Sequence, residues 1–149
     1  MPRLEQSVTI NAPADKVYAV ARDVESFPQF MSDLRSLSVL ERSEDGNRTV
    51  TEWTGLIREF KMTVKWTQED LWDPTTLRDE FKMLKGDMNS MSGYWQFTAD
   101  GEQTRFESVM DYEYDVPLIG PMIKSLIKKK MTDNLQATLE AIKTRAETA

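Results

Sequence analysis

The sequence predicts an α+β fold: a curved, antiparallel, seven-stranded sheet wrapped around one long C-terminal helix, with two short helices after the first strand. Three observations carry this. Residues 4–10 alternate between polar and apolar and lead at once into Pro13 and a helical pattern. Between residues 36 and 114 the apolar residues recur at every second position, interrupted by short turn signals. From Met122 onward they recur about every 3.6 positions, with no internal Gly or Pro.

In the first strand, Leu4, Gln6, Val8 and Ile10 share one face and Glu5, Ser7 and Thr9 the other. Asn11-Ala12-Pro13 ends it. Pro13 stands just ahead of a helix carrying Val17, Tyr18, Val20 and Ala21. Asp23 to Asp33 reads as a second short helix, with Phe27, Phe30, Met31 and Leu34 as apolar positions and Pro28 placed for a helix start. Leu37 and Val39 then begin the period-two region, and Asp45-Gly46 marks a hairpin. Thr49, Thr51 and Trp53 share a face of the return strand. Phe60, Met62, Val64 and Trp66 alternate with Lys61, Thr63, Lys65 and Thr67.

Asp73-Pro74 punctuates the chain. Leu77, Asp79, Phe81 and Met83 share the next face, and Gly86-Asp87 turns the chain. Met91, Gly93, Trp95 and Phe97 follow, then the turn Asp100-Gly101, then Phe106, Ser108, Met110, Tyr112 and Tyr114. Pro117 and Pro121 end the strands. Ile119, Ile123, Ile127, Met131, Leu135, Leu139 and Ile142 make one helical stripe, opposite Lys124, Lys128, Asp133, Gln136, Glu140 and Lys143. Such a helix of ~25 residues is nearly ~40 Å long, enough to cross a domain. Short hairpins make the middle strands a meander, and a twisted antiparallel sheet of this size curls. The concave face is where the helix buries its stripe.

The chain has 149 residues and reads as one domain over 1–149. Its 25 acids against 19 bases give a net charge of −6. Direct nucleic-acid binding, which needs a basic face, is not expected. Cysteine and histidine are both absent. Disulfides, thiolate metal sites and a Cys nucleophile are thereby excluded, as are the commonest general base and metal ligand. No metal and no cofactor is expected. Any chemistry must rest on Asp, Glu, Lys, Tyr, Ser or Thr, so composition leans toward binding. No segment approaches the ~18 apolar residues of a membrane span, and the start lacks the apolar core of a signal peptide. A cytoplasmic location is the expectation.

Four stretches resemble one family. They are Asn11-Ala12-Pro13 with Val17-Tyr18, the run Asp23-Val24-Glu25-Ser26-Phe27-Pro28-Gln29-Phe30, then Gly93-Tyr94-Trp95-Gln96-Phe97, and Tyr112-Glu113-Tyr114-Asp115-Val116-Pro117-Leu118 before the long helix. With the element order, they resemble the START-like (SRPBCC, helix-grip) superfamily, in its coenzyme Q-binding and polyketide cyclase/dehydrase-like branch. Relatives often carry a Gly-Pro-Phe-like run before Gly93. Here Lys85-Gly86-Asp87-Met88-Asn89 stands there. The resemblance implies a hydrophobic cavity between sheet and helix that takes lipids, isoprenoid quinones or polyketide-like molecules. Some members are aromatase/cyclases, and one bacterial subgroup is described as a ribosome-association toxin.

Candidate site residues follow from the inward faces. The chain holds nine methionines. Met62, Met83, Met91, Met110 and, on the helix, Met122 and Met131 either fill an irregular core or line a pocket that adapts to a greasy ligand. Trp53, Trp66, Phe81, Trp95, Tyr112 and Tyr114 supply aromatic walls, and the indole and phenol groups carry polar handles. Ile127 lies on the helix stripe beneath them. Trp95 shares its face with Gly93, whose missing side chain leaves room beside the ring. Asp79 points inward between Leu77 and Phe81, where a carboxyl must be hydrogen-bonded and its pKa rises. It either orients a ligand hydroxyl or acts in acid–base chemistry, unless a bulge turns it to solvent. Arg78 and Arg105 point outward by the same count.

Lys124, Lys128, Lys129 and Lys130 form a basic face on the first half of the helix. It is either simply solvated or a transient contact to an anionic membrane, with 117–122 as a lip. The leading expectation is a non-catalytic carrier or sequestering protein for an isoprenoid quinone, a lipid or a polyketide-like molecule. The alternatives are an aromatic polyketide cyclase/dehydratase and a partner-binding protein like the ribosome-association toxins.

Overall fold

A computed structural model describes residues 3–31, 33–57, 61–114 and 121–148. β1 (Arg3–Ile10) leads into α1 (Ala14–Arg22) and a 3-10 turn at Val24–Gln29. Then come β2 (Leu34–Arg42), β3 (Arg48–Ile57), β4 (Met62–Asp73), β5 (Arg78–Gly86), β6 (Ser90–Asp100) and β7 (Gln103–Glu113). α2 (Pro121–Thr148) completes the order. The sheet runs β1-β7-β6-β5-β4-β3-β2, antiparallel throughout. β2 to β7 form the expected meander, and β1 closes on β7.

Three local differences have physical reasons. The second short helix is a 3-10 turn with Pro28 inside it rather than at its start. Proline has no N–H to donate, so this stretch settles for a short run of tighter turns. β4 runs on past Thr67 to Asp73, so Gln68, Asp70 and Trp72 continue its inward face as buried residues. β5 has an irregularity where Thr67 pairs with Lys85 but Gln68 pairs with Met83. Leu84 is the extra residue, and it stays 49% exposed.

Gly93 plays a different part from the one expected. A Cβ there would stand 2.0 Å from the Val109 carbonyl oxygen and 3.0 Å from Phe81 Cζ. The glycine permits close approach of β6 to β7 rather than opening room beside Trp95.

α2 is continuous over 28 residues. Ile127, Leu139, Ile142 and Ala146 are buried, whereas Met131 and Leu135 are half-buried. Met122, read as inward, is exposed. Phe60, Pro117 and Ile119 lie outside the described residues.

The apolar interior is in two parts. The larger gathers Ile10, Val17, Phe27, Trp72, Phe97, Phe106, Leu139 and Ile142 around α1 and the C-terminal half of α2. The smaller gathers Leu4, Ile57, Val64, Met88, Met91, Tyr112 and Ile127 under the first half of α2. Phe81 and Leu135 pack against both. One long helix thus spans two cores on one curled sheet, and the junction between them is incompletely filled.

Candidate functional site

That junction is a cavity of about 250 Å³ between the sheet and α2. Its walls come from β3 to β7, the segment 24–34 and α2. Trp53 and Trp66, directly opposite each other on β3 and β4, stack with ring centroids 5.6 Å apart and planes 12° apart. Phe27, fully buried, meets the Trp53 and Trp95 rings at 6.0 and 6.3 Å. The Asp23-to-Phe30 run therefore acts as an aromatic plug at this end. On α2, Ala141 is small enough to leave the space open, while Asn134 Nδ2 donates to the Leu56 carbonyl at 3.0 Å and straps the helix to β3.

Eight of the residues read from the sequence border this space: Trp53, Trp66, Asp79, Phe81, Met91, Trp95, Met110 and Met131. Five do not. Met62, Met83, Tyr112, Tyr114 and Ile127 pack in the smaller core, away from the cavity wall. The polar handles also behave differently from expectation. Trp53 Nε1 donates to Thr51 Oγ1 and Trp66 Nε1 donates to Gln68 Oε1, each at 2.7 Å. Both indole N–H groups are held by the sheet, so what these rings bring to the cavity is apolar surface.

The cavity wall also contains residues the sequence reading passed over: Val24, Met31, Gln68, Asp70, Trp72 and Met88. Gln68, Asp70 and Trp72 had a readable signal, since they extend the alternation of Val64 and Trp66 by three more steps. Met88 lies between β5 and β6, in the stretch 85–89.

Asp70 and Asp79 form the polar floor. Asp79 is 1% exposed and Asp70 is 4% exposed. Asp70 pairs in register with Phe81, and Asp79 with Trp72, so the two carboxyls are diagonal neighbours on one face. They share a side-chain hydrogen bond. Gln68 Nε2 donates to Asp70 Oδ1 at 2.8 Å. Burial drives the Asp79 pKa well above the ordinary carboxylate value, and the neighbouring Asp70 charge raises it further. Burial also raises Asp70, opposed by the hydrogen bonds from Asp79 and Gln68. Among the described residues, no donor reaches Asp79 Oδ1, and Ser108 Oγ is likewise unpartnered.

On the helix surface, Lys124, Lys128 and Lys129 are exposed and Lys130 is half-buried. Lys129 Nζ stands 3.1 Å from Asp133 Oδ2. Among the described residues, no group of His, Cys, Asp or Glu is arranged to hold a metal ion. No described helix is long and apolar enough to cross a membrane.

A family model described as polyketide cyclase / dehydrase and lipid transport matches residues 10–139. The chain belongs to that family. The START-like resemblance read from its sequence agrees with this, and so does the helix-grip architecture. A Thermus thermophilus protein of known structure, TTHA0849, superposes with a TM-score of 0.91 at 30% identity, covering 99% of this chain and 98% of that one. The ribosome association toxin RatA of Pseudomonas aeruginosa is 24% identical over 97% of this chain and 94% of its own length. The actinorhodin polyketide synthase bifunctional cyclase/dehydratase of Streptomyces coelicolor is 29% identical over 75% of this chain. The match spans only 34% of that enzyme.

Proposed function

We propose that the chain binds an apolar, ring-bearing small molecule in the cavity between sheet and α2, as a carrier or sequestering protein. The observation that carries this reading is the lined cavity itself. Small-molecule pockets run roughly 300–1,000 Å³, so a space of about 250 Å³ suits a compact ring system. The stacked indoles supply aromatic wall, and Met91, Met110 and Met131 offer adaptable thioethers. The family resemblance points to isoprenoid quinones, lipids and polyketide-like molecules as the classes to screen. Native mass spectrometry of protein purified from its own host tests the reading, with a thermal-shift panel of those classes beside it. A retained small molecule or a saturable shift is the expected result. Absence of both across the panel refutes it.

A second reading, aromatic polyketide cyclisation or dehydration, is favoured by one feature. A buried pair of neighbouring carboxyls, both with raised pKa values and one raised strongly, is the usual equipment of an acid–base catalyst. The likeness to the Streptomyces enzyme adds to it. Turnover of a poly-β-ketone analogue by the wild type and not by Asp79→Asn would put this reading first.

The basic start of α2 completes the carrier proposal as a transient contact to anionic lipid. Lys128→Glu should slow ligand transfer from anionic vesicles and leave binding in detergent unchanged. Equal transfer rates would remove the membrane from the account.

A further inference from the structure

We infer that the cavity selects a positively charged ligand, an amine carried on an apolar ring system, and that the buried carboxyls of Asp70 and Asp79 supply its counter-charge. The inference rests on the binding reading above and specifies its ligand.

The charged side chains that border the cavity are Asp33, Asp70 and Asp79, and among the described residues no Lys or Arg joins them. The bases flanking Asp79 on β5, Arg78 and Lys82, are engaged by Glu80 and Glu69. Arg22 on α1 favours the ionised form of Asp79, but it is held by the Tyr18 hydroxyl and Asn47 Oδ1, at 3.4 and 2.8 Å, and does not border the cavity. Arg145 stands 5.1 Å from the centre of the Phe30 ring, yet it is exposed and lies outside the wall. The wall residues from β6 and α2 include no titratable side chain. Two carboxyls, 4% and 1% exposed, are thus set in an apolar enclosure with no base in its wall. Charge in such an interior is weakly screened and acts across several ångströms, so selection by sign does not require either carboxyl to touch the occupant.

A buried ion is costly unless a counter-charge replaces its water. The acid pair supplies one to an ammonium however its protons are placed. A doubly protonated pair yields one proton to the nitrogen of a neutral amine. A singly protonated pair meets an ammonium that arrives with its own. Each route ends in the same complex, an ammonium beside a pair with one net negative charge. A carboxylate or phosphate head group meets like charge instead, and a neutral head group gains nothing from it. A bare metal ion fits poorly: among the described residues no group of His, Cys, Asp or Glu is arranged to hold one, and most of the wall is apolar. All four tryptophans of the chain border the cavity, with Phe81 beside them. That part of the wall takes the ring system on which the amine is carried.

The test is calorimetric titration of the full chain at pH 7 with three ring-matched probes: 1-naphthylmethylamine, 1-naphthylmethanol and 1-naphthoic acid. The wild type should bind the amine about tenfold or more tightly than the alcohol, and the acid most weakly. Replacing both carboxyls, Asp70→Asn with Asp79→Asn, keeps the shape and removes the charge. In that protein amine and alcohol should bind to within about twofold of each other. If it does not fold, the wild-type order decides alone. A preference for the amine that survives there undiminished would belong to the overall charge of −6 and overturns the inference. Equal or tighter binding of the alcohol or the acid by the wild type also overturns it and leaves a ring-binding cavity standing. No binding of any probe overturns the cavity reading, and the inference with it.

Discussion

Asp79 is flanked in register by Trp72 on β4 and Trp95 on β6. The charged groups that act on it are Asp70, Glu80 and Arg22, and only Arg22 favours its ionised form. Tyr18, whose hydroxyl accepts from Arg22 Nη1 at 3.4 Å, is another titratable group coupled to it, and burial raises its pKa too. A carboxyl whose pKa is higher folded than unfolded binds more protons in the native state. Stability from this site is therefore present at low pH and declines as pH rises above the unfolded value of ~3.9. Asp79→Asn removes the decline. The melting temperature of Asp79→Asn relative to wild type should rise between pH 4 and pH 7. Asp45, Asp73, Asp111 and Glu147 are held below their ordinary pKa values by hydrogen bonds, and they cancel in that difference. A flat difference would show an Asp79 pKa unchanged by folding, and one that falls with pH would show Asp79 ionised and paired in the native state. The inward direction of Asp79 was legible from period two alone. Its partner Asp70 continues the alternation of Val64 and Trp66 by two more steps, but that the two carboxyls meet depends on the register of β4 with β5, which period alone does not give.

At the scale of elements, the strands and the long helix follow from hydrophobic period, and their register follows from the turns. The 3-10 turn and the bulge at Leu84 do not, since each depends on how one backbone meets its neighbours. Gly93 is the clearest case. Its period-two position is correct, yet its reason is the backbone of β7. Gly93→Ala would place a methyl group 2.0 Å from the Val109 carbonyl oxygen and 2.9 Å from Met110 Cα. Neither contact is with a flexible side-chain end, so relief requires the two strands to part. Gly93→Ala should destabilise the fold by roughly 3 kcal/mol or more. Urea unfolding measures this, and a loss under ~1 kcal/mol would mean that β6 and β7 separate easily here.

At the scale of the whole molecule, α2 holds two cores apart and leaves the space between them. The half-buried state of Met131 and Leu135 is the trace of that space in a stripe that otherwise reads as continuous. Sequence period could say that these side chains face inward, but not that a gap waits for them. Whether the five displaced residues or the eight retained ones border the gap depends on sheet curvature, which no single strand encodes. If the gap is a binding site, filling it should separate stability from affinity. A ligand present at about 100 times its dissociation constant should stabilise the wild type by about 2.7 kcal/mol, or several degrees in melting temperature. Trp95→Ala removes a wall and should shrink the ligand-induced rise while also lowering the ligand-free melting temperature. Ala141→Leu instead adds three carbons to the helix face that borders the cavity. It should leave the ligand-free protein within about 1 kcal/mol of wild type, because the added side chain enters space already present. The same variant should abolish most of the ligand-induced rise. A full rise in Ala141→Leu would place the ligand elsewhere. A large loss of ligand-free stability would mean that the junction between the cores is already packed.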